Sequence, residues 1–87
     1  MKILKFNELH NITGRRIKEL RIQKQITQDQ LAARLQTYGI QIDQKAISRL
    51  ESGQRIITDY ELARIARVLN VSIDELIEDT LYDPDVP

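Results

Sequence analysis

An all-α fold, a compact bundle of five helices, is predicted for this 87-residue chain by three observations. Five residues suited to a helix N-cap each follow an apolar residue. Between those caps, apolar residues recur at helical spacing. No segment sustains the alternation of a strand. The length suffices for one domain and one modest core. A content of 41% hydrophobic and 30% charged residues is ordinary for a folded soluble domain and too apolar for a disordered chain.

Each helix is justified by its start. A Ser, Thr, Asp or Asn at the N-cap accepts a hydrogen bond from an otherwise unpaired backbone N–H. An apolar residue just before it often packs onto one further along the first turns. Thr13, between Ile12 and Ile17, opens a first helix expected over 13–24. Thr27, between Ile26 and Leu31, opens a second over 27–37, and Asp43, between Ile42 and Ile47, a third over 43–52. Thr58, between Ile57 and Leu62, opens a fourth over 58–69, and Ser72, between Val71 and Leu76, a fifth over 72–79. The pairs Thr27/Gln30, Thr58/Glu61 and Ser72/Glu75 have the spacing of a capping box. Gly39, Gly53 and Asn70 suit the left-handed residue that often follows a helix, whereas the first helix shows no such stop before Thr27. The expected organisation is an N-terminal extension over 1–11, one domain over 12–79 and an acidic tail over 80–87.

Charge is segregated along the chain although the net charge is zero. Residues 1–57 carry eleven Lys/Arg against five Asp/Glu, a balance of +6, and residues 58–87 carry two against eight, a balance of −6. The basic part suits a polyanion, while the acidic part faces away from it or meets a protein. The chain has no cysteine and a single histidine, His10, which excludes disulfides and thiolate zinc sites and leaves little for a histidine metal cluster. Neither a signal peptide nor a run of the ~18 apolar residues of a membrane span is legible, so a cytoplasmic location is expected. No nucleophile–histidine pair, glycine-rich phosphate loop or metal-ligand spacing points to an enzyme or a cofactor. The acidic cluster Asp74, Glu75, Glu78 and Asp79 reads as a cap plus solvated surface rather than a cation site.

The third helix presents two faces. Ala46, Ile47 and Leu50 supply an apolar side, and Gln44, Lys45, Ser48 and Arg49 a polar one able to reach base edges. Arg and Lys suit guanine O6/N7, and Gln suits adenine N6/N7.

Four stretches, taken in order, resemble a known family. They are Arg16-Ile17-Lys18-Glu19-Leu20-Arg21, Thr27-Gln28-Asp29-Gln30-Leu31-Ala32, Ala46-Ile47-Ser48-Arg49-Leu50-Glu51-Ser52-Gly53 and Leu69-Asn70-Val71-Ser72-Ile73-Asp74-Glu75-Leu76. Together, over roughly residues 12–78, they are similar to the Cro/C1-type (XRE) helix-turn-helix regulators of bacteria and phages, whose domains are lambda-repressor-like. The resemblance implies a transcriptional regulator of double-stranded operator DNA, a repressor by expectation, whose third helix enters the major groove. It places Gln44, Lys45 and Arg49, with Ser48 beside them, at base-reading positions. It places Thr27, Gln28, Ser52, Gln54 and Arg55 at phosphate contacts, and Arg21 and Glu51 in a structural ion pair. Arg15, Arg16 and Lys18 read equally well as DNA contacts or as a solvated first turn.

The sequence departs from the family between helices 2 and 3. Leu35 and Ile47 are twelve positions apart, an excess of about five over the usual pattern. The extra residues, within 36–42, are expected to lengthen helix 2 and widen the turn. Ile40 and Ile42 would tuck inward, and Tyr38 would lie on the DNA side or cover the core. The rival reading is a protein-interaction module, such as an antitoxin or anti-regulator, whose acidic C-terminal part, including Asp83 and Asp85, binds a partner protein. Because one helix reads only a few base pairs, a homodimer is expected, with half-sites ~34 Å apart. Its surface would be helix 5 and the tail, through Ile73, Ile77, Leu81 and Tyr82.

Overall fold

The computed structural model describes residues 8–81, with side chains over 8–77. Five α-helices follow one another: α1 (Gly14–Gln23), α2 (Gln28–Gln36), α3 (Gln44–Glu51), α4 (Asp59–Leu69) and α5 (Ile73–Leu81). No strand occurs among the described residues. The all-α bundle and its five helices are those expected, each bound lying within about two residues of its expected place.

Three starts are capped as their sequences dictate. At α2 the Thr27 hydroxyl accepts from the Gln30 N–H at 3.0 Å while the Gln30 side chain accepts from the Thr27 N–H at 2.9 Å. Thr58 and Glu61 make the same reciprocal pair at α4. Asp43 accepts from the Ala46 N–H at α3. At α5 the Ser72 hydroxyl accepts from the Glu75 N–H, and the Glu75 carboxylate does not reciprocate.

The start of α1 differs from expectation. Thr13 is buried, has helical dihedrals and makes no side-chain cap. The cap is Asn11, whose Oδ1 accepts from the Gly14 N–H at 2.8 Å. Its Nδ2 donates to the Leu50 carbonyl at 3.0 Å and the Arg55 carbonyl at 2.7 Å. Thr13 could offer only a hydroxyl, whereas the Asn11 amide caps α1 and holds the end of α3 at the same time. The two helices approach so closely that a Cβ on Gly14 would collide with the Leu50 carbonyl oxygen. Residues expected in an N-terminal extension thus grip the domain: the His10 N–H donates to the Gly53 carbonyl, and Leu9 packs on Gly53.

Four helices end alike. A left-handed residue donates its N–H to the carbonyl three back, and the next residue donates to the carbonyl five back, the Schellman arrangement. Gly39, Gly53 and Asn70 fill that role after α2, α3 and α4. After α1 it is Gln25, at φ 57°, with bonds from Gln25 to Ile22 and from Ile26 to Arg21.

The core is one cluster. Ile17, Leu31, Leu35, Ile47, Leu50, Ile65, Leu69 and Leu76 are its fully buried side chains. The segment between α2 and α3 corrects one expectation: α2 is not lengthened but stops at Gln36, and the extra residues form the Gly39 turn and an extended stretch into Asp43. Ile40 and Ile42 are buried there. The Gln36 side-chain amide donates to the Ile42 carbonyl at 2.8 Å. Tyr38 is 44% exposed and lies against α4, with the Arg64 guanidinium carbon 5.2 Å from its ring centre.

Candidate nucleic-acid interface

α3 owes its orientation to burial on one side and to ionic anchoring at its end. Ile47 and Leu50 are fully buried and Ala46 half-buried, which turns Gln44, Lys45, Ser48 and Arg49 outward as one exposed stripe. Lys45, Ser48 and Arg49 make no side-chain hydrogen bond or ion pair with another described residue. A helix face of cations left without partners is available to an anionic surface.

Behind that stripe, Arg21 and Glu51 form a buried bidentate pair. Arg21 Nε donates to Glu51 Oε2 at 2.6 Å, and Nη2 donates to Oε1 at 3.0 Å. The third contact, Nη1 to the Ile26 carbonyl at 2.8 Å, ties the pair to the end of α1. Such a pair fixes geometry because removing either partner strands a buried charge. It holds the last residue of α3 against α1.

The first turn of α2 sits beside the first turn of α3. The Gln28 amide nitrogen donates to Glu51 Oε1 at 3.0 Å, and its oxygen accepts from Gln44 Nε2 at 3.1 Å. Thr27 is exposed at the same helix terminus, where free backbone N–H groups favour an anion.

Beyond α3, Ser52 and Gln54 are exposed, and the Ser52 hydroxyl donates to the Arg49 carbonyl. Arg55, assigned to phosphate by resemblance, has another engagement. Its two terminal nitrogens pair with the two oxygens of Glu61 at 3.1 and 2.9 Å, and Nη1 also donates to the Ile56 carbonyl. The hydrogen bond to Glu61 outweighs partial burial and raises the Arg55 pKa. Burial pushes the Glu61 carboxyl up, but the Arg55 guanidinium and the Thr58 N–H overcome it and hold the carboxyl below its ordinary value. The side chain that completes the α4 capping box is therefore also the anchor of the α3–α4 turn.

Sequence reasoning missed several residues here. A cleft lined by His10, Arg49, Gln54, Ile56 and Tyr60 continues the α3 face, with Tyr60 62% exposed. Asn11 had a legible signal, an Asx residue three positions before Gly14 that competes with Thr13 as the cap. Tyr60 had none, because an exposed aromatic at a helix start carries no spacing rule. Arg15 and Arg16 pair with Glu19 on the α1 surface, and Arg16 also donates to the Glu75 carbonyl of α5. Among the described residues no group of His, Asp and Glu side chains could hold a metal ion. No described helix is long and apolar enough to cross a membrane.

A family model for helix-turn-helix domains, the Cro/C1 type, matches residues 17–76. The chain belongs to this family. No curated protein matches the chain. The matched span runs from Ile17 within α1 to Leu76 within α5, so it holds α2, α3 and α4 whole and part of the two outer helices. As a Cro/C1-type domain it has a DNA-binding, transcription-regulatory role, and the family is one of binding rather than catalysis.

Proposed function

We propose that this domain is a sequence-specific repressor of transcription that lays α3 in the major groove of double-stranded operator DNA. The observation that supports this best is the exposed stripe of α3 beside the start of α2. Gln44, Lys45, Ser48 and Arg49 read base edges. The α2 terminus at Thr27 and Gln28, with Ser52 and Gln54 after α3, holds phosphates on either side. Phosphate contacts fix register and base contacts give specificity. Arg55 is better employed as the anchor of the turn that presents Ser52 and Gln54, because a phosphate would have to compete with a bidentate carboxylate.

The protein acts as a homodimer in this reading, since one α3 covers too few base pairs for tight discrimination. Ile73 is 43% exposed at the start of α5 and Ile77 is half-buried, which suits a shared surface there. Tyr82 and the acidic tail lie outside the described residues, as does the Leu81 side chain. A cytoplasmic site of action follows from the target.

The test is selection from a random double-stranded DNA library, followed by fluorescence anisotropy on the recovered duplex over a range of salt. A single enriched, two-fold symmetric sequence is expected, with a steep salt dependence from about six to eight neutralised phosphates. Recovery of no sequence, with weak and equal binding to all duplexes, would move the assignment to a protein-interaction module.

A further inference from the structure

The segment between α2 and α3, which departs from the family pattern, meets α4 in an open groove. Tyr38, Arg64, Arg67, Asn70 and Ile73 line it. We propose that this groove receives the acidic tail, residues 82–87, of a second copy of the chain, so that the two copies exchange tails. This rests on the homodimer reading above.

The first argument is charge. Arg64 and Arg67 are the only Lys or Arg beyond Arg55, and they stand three positions apart on α4, both exposed. Arg64 stacks on the Tyr38 ring, and neither guanidinium makes a hydrogen bond or ion pair with another described residue. Two adjacent guanidinium groups beside an aromatic ring and Ile73 suit an occupant that is acidic and partly apolar. The tail, Tyr82-Asp83-Pro84-Asp85-Val86-Pro87, has that composition. Pro84 disfavours helix at Asp83, which suits an extended occupant. In an extended chain Asp83 and Asp85 point to one side about 7 Å apart. Side chains three positions apart on a helix are separated by about 5–6 Å, so the two pairs match in spacing.

The second argument is reach. The groove ends at Ile73, where α5 begins, and Leu81 closes α5 about 12 Å further along at 1.5 Å per residue. Asp83 follows Leu81 by two residues, a span of about 7 Å at most. A tail doubling back on its own copy therefore leaves Asp83 short of the Ile73 end. A second copy removes the difficulty. A two-fold axis makes the same surface meet itself, and two α5 helices packed antiparallel through Ile73 and Ile77 set residue 81 of one beside residue 73 of the other. Each tail then leaves α5 directly into the partner's groove, with no reversal. The dimer gains carboxylate–guanidinium contacts at both ends of an otherwise small apolar seam.

The test is sedimentation velocity of the full chain at low salt, where exposed charges are least screened, over a range of concentrations. Arg64→Glu/Arg67→Glu reverses the groove, and Asp83→Lys/Asp85→Lys reverses the tail. Circular dichroism confirms that both variants are folded. Each variant alone should raise the dimer dissociation constant at least about tenfold, since both grooves of its dimer hold like charges. An equimolar mixture of the two should recover wild-type dimerisation, because in the mixed dimer each tail meets a groove of opposite charge. A mixture no tighter than either variant alone would put the tail on its own copy or in no groove, and would overturn the proposal. So would dissociation constants equal to wild type in both variants, while leaving the homodimer standing. Wild-type protein that stays monomeric at every concentration, with and without the selected duplex, would overturn the homodimer reading and the proposal together.

Discussion

The outer face of α3 and the seam behind it are built from the same residue types and do opposite work. Lys45 and Arg49 stand exposed with no side-chain partner among the described residues, whereas Arg21 and Arg55 are each bidentate on a glutamate. Arg49 and Arg55 are six positions apart in one basic stretch, yet one is offered to solvent and the other is bound into the α3–α4 turn. Charge therefore does not report function in this domain. Whether the charge is already satisfied by the fold does.

The comparison is broken most severely at the seam. Arg21→Ala leaves Glu51 buried and unpaired, and a loss of about 3–5 kcal/mol is expected. For a domain of this size that is a fall in melting temperature of at least roughly 12 °C, to be read by calorimetry or circular dichroism. Next comes the backbone contact that lets the seam close. Gly14→Ala drives a methyl into the Leu50 carbonyl, which belongs to a helix end and cannot yield. A loss of about 2–3 kcal/mol is expected in the same measurement.

These two sites show how differently the fold could be read beforehand. The starts of α2, α3, α4 and α5 were legible because Thr27, Asp43, Thr58 and Ser72 each stand directly before an apolar-periodic run and bond to a backbone N–H three residues on. The start of α1 was misread because two candidates lie two positions apart, and only the approach of Leu50 decides for Asn11. Gly39, Gly53 and Asn70 announced their turns. Gln25 could not, since a glutamine enters the left-handed region only when its neighbours' hydrogen bonds hold it there. Of the interface, the polar stripe of α3 was legible from helical spacing alone. The engagement of Arg55 was not, because its charge is visible in sequence while Glu61, already spent as a cap, gave no sign of a second partner.

The Arg55–Glu61 pair makes a smaller, pH-dependent contribution. The Glu61 carboxyl is held below its ordinary value in the folded protein. Its stabilisation is therefore fully present above the unfolded glutamate value of about 4.3 and fades as pH falls through the lower folded value. Urea titrations from pH 6 to pH 3 should show that loss in wild type, and Glu61→Gln should be less stable at pH 6 with a flatter acid limb. Smaller still is the end of α1. Gln25→Gly removes the cost of a side chain at φ 57° and adds chain entropy to the unfolded state, so a net gain of about 0.5 kcal/mol is expected.

At the far end of this ordering lies the α3 face, where substitution should barely change stability. The most direct measurement is anisotropy of Lys45→Ala/Arg49→Ala against the selected duplex and a scrambled one, with thermal melts of the same samples. The account predicts stability within about 0.5 kcal/mol of wild type and a fall in discrimination of at least about tenfold. Unchanged discrimination in a folded variant would contradict it, and the base-reading surface would have to be sought elsewhere on the domain.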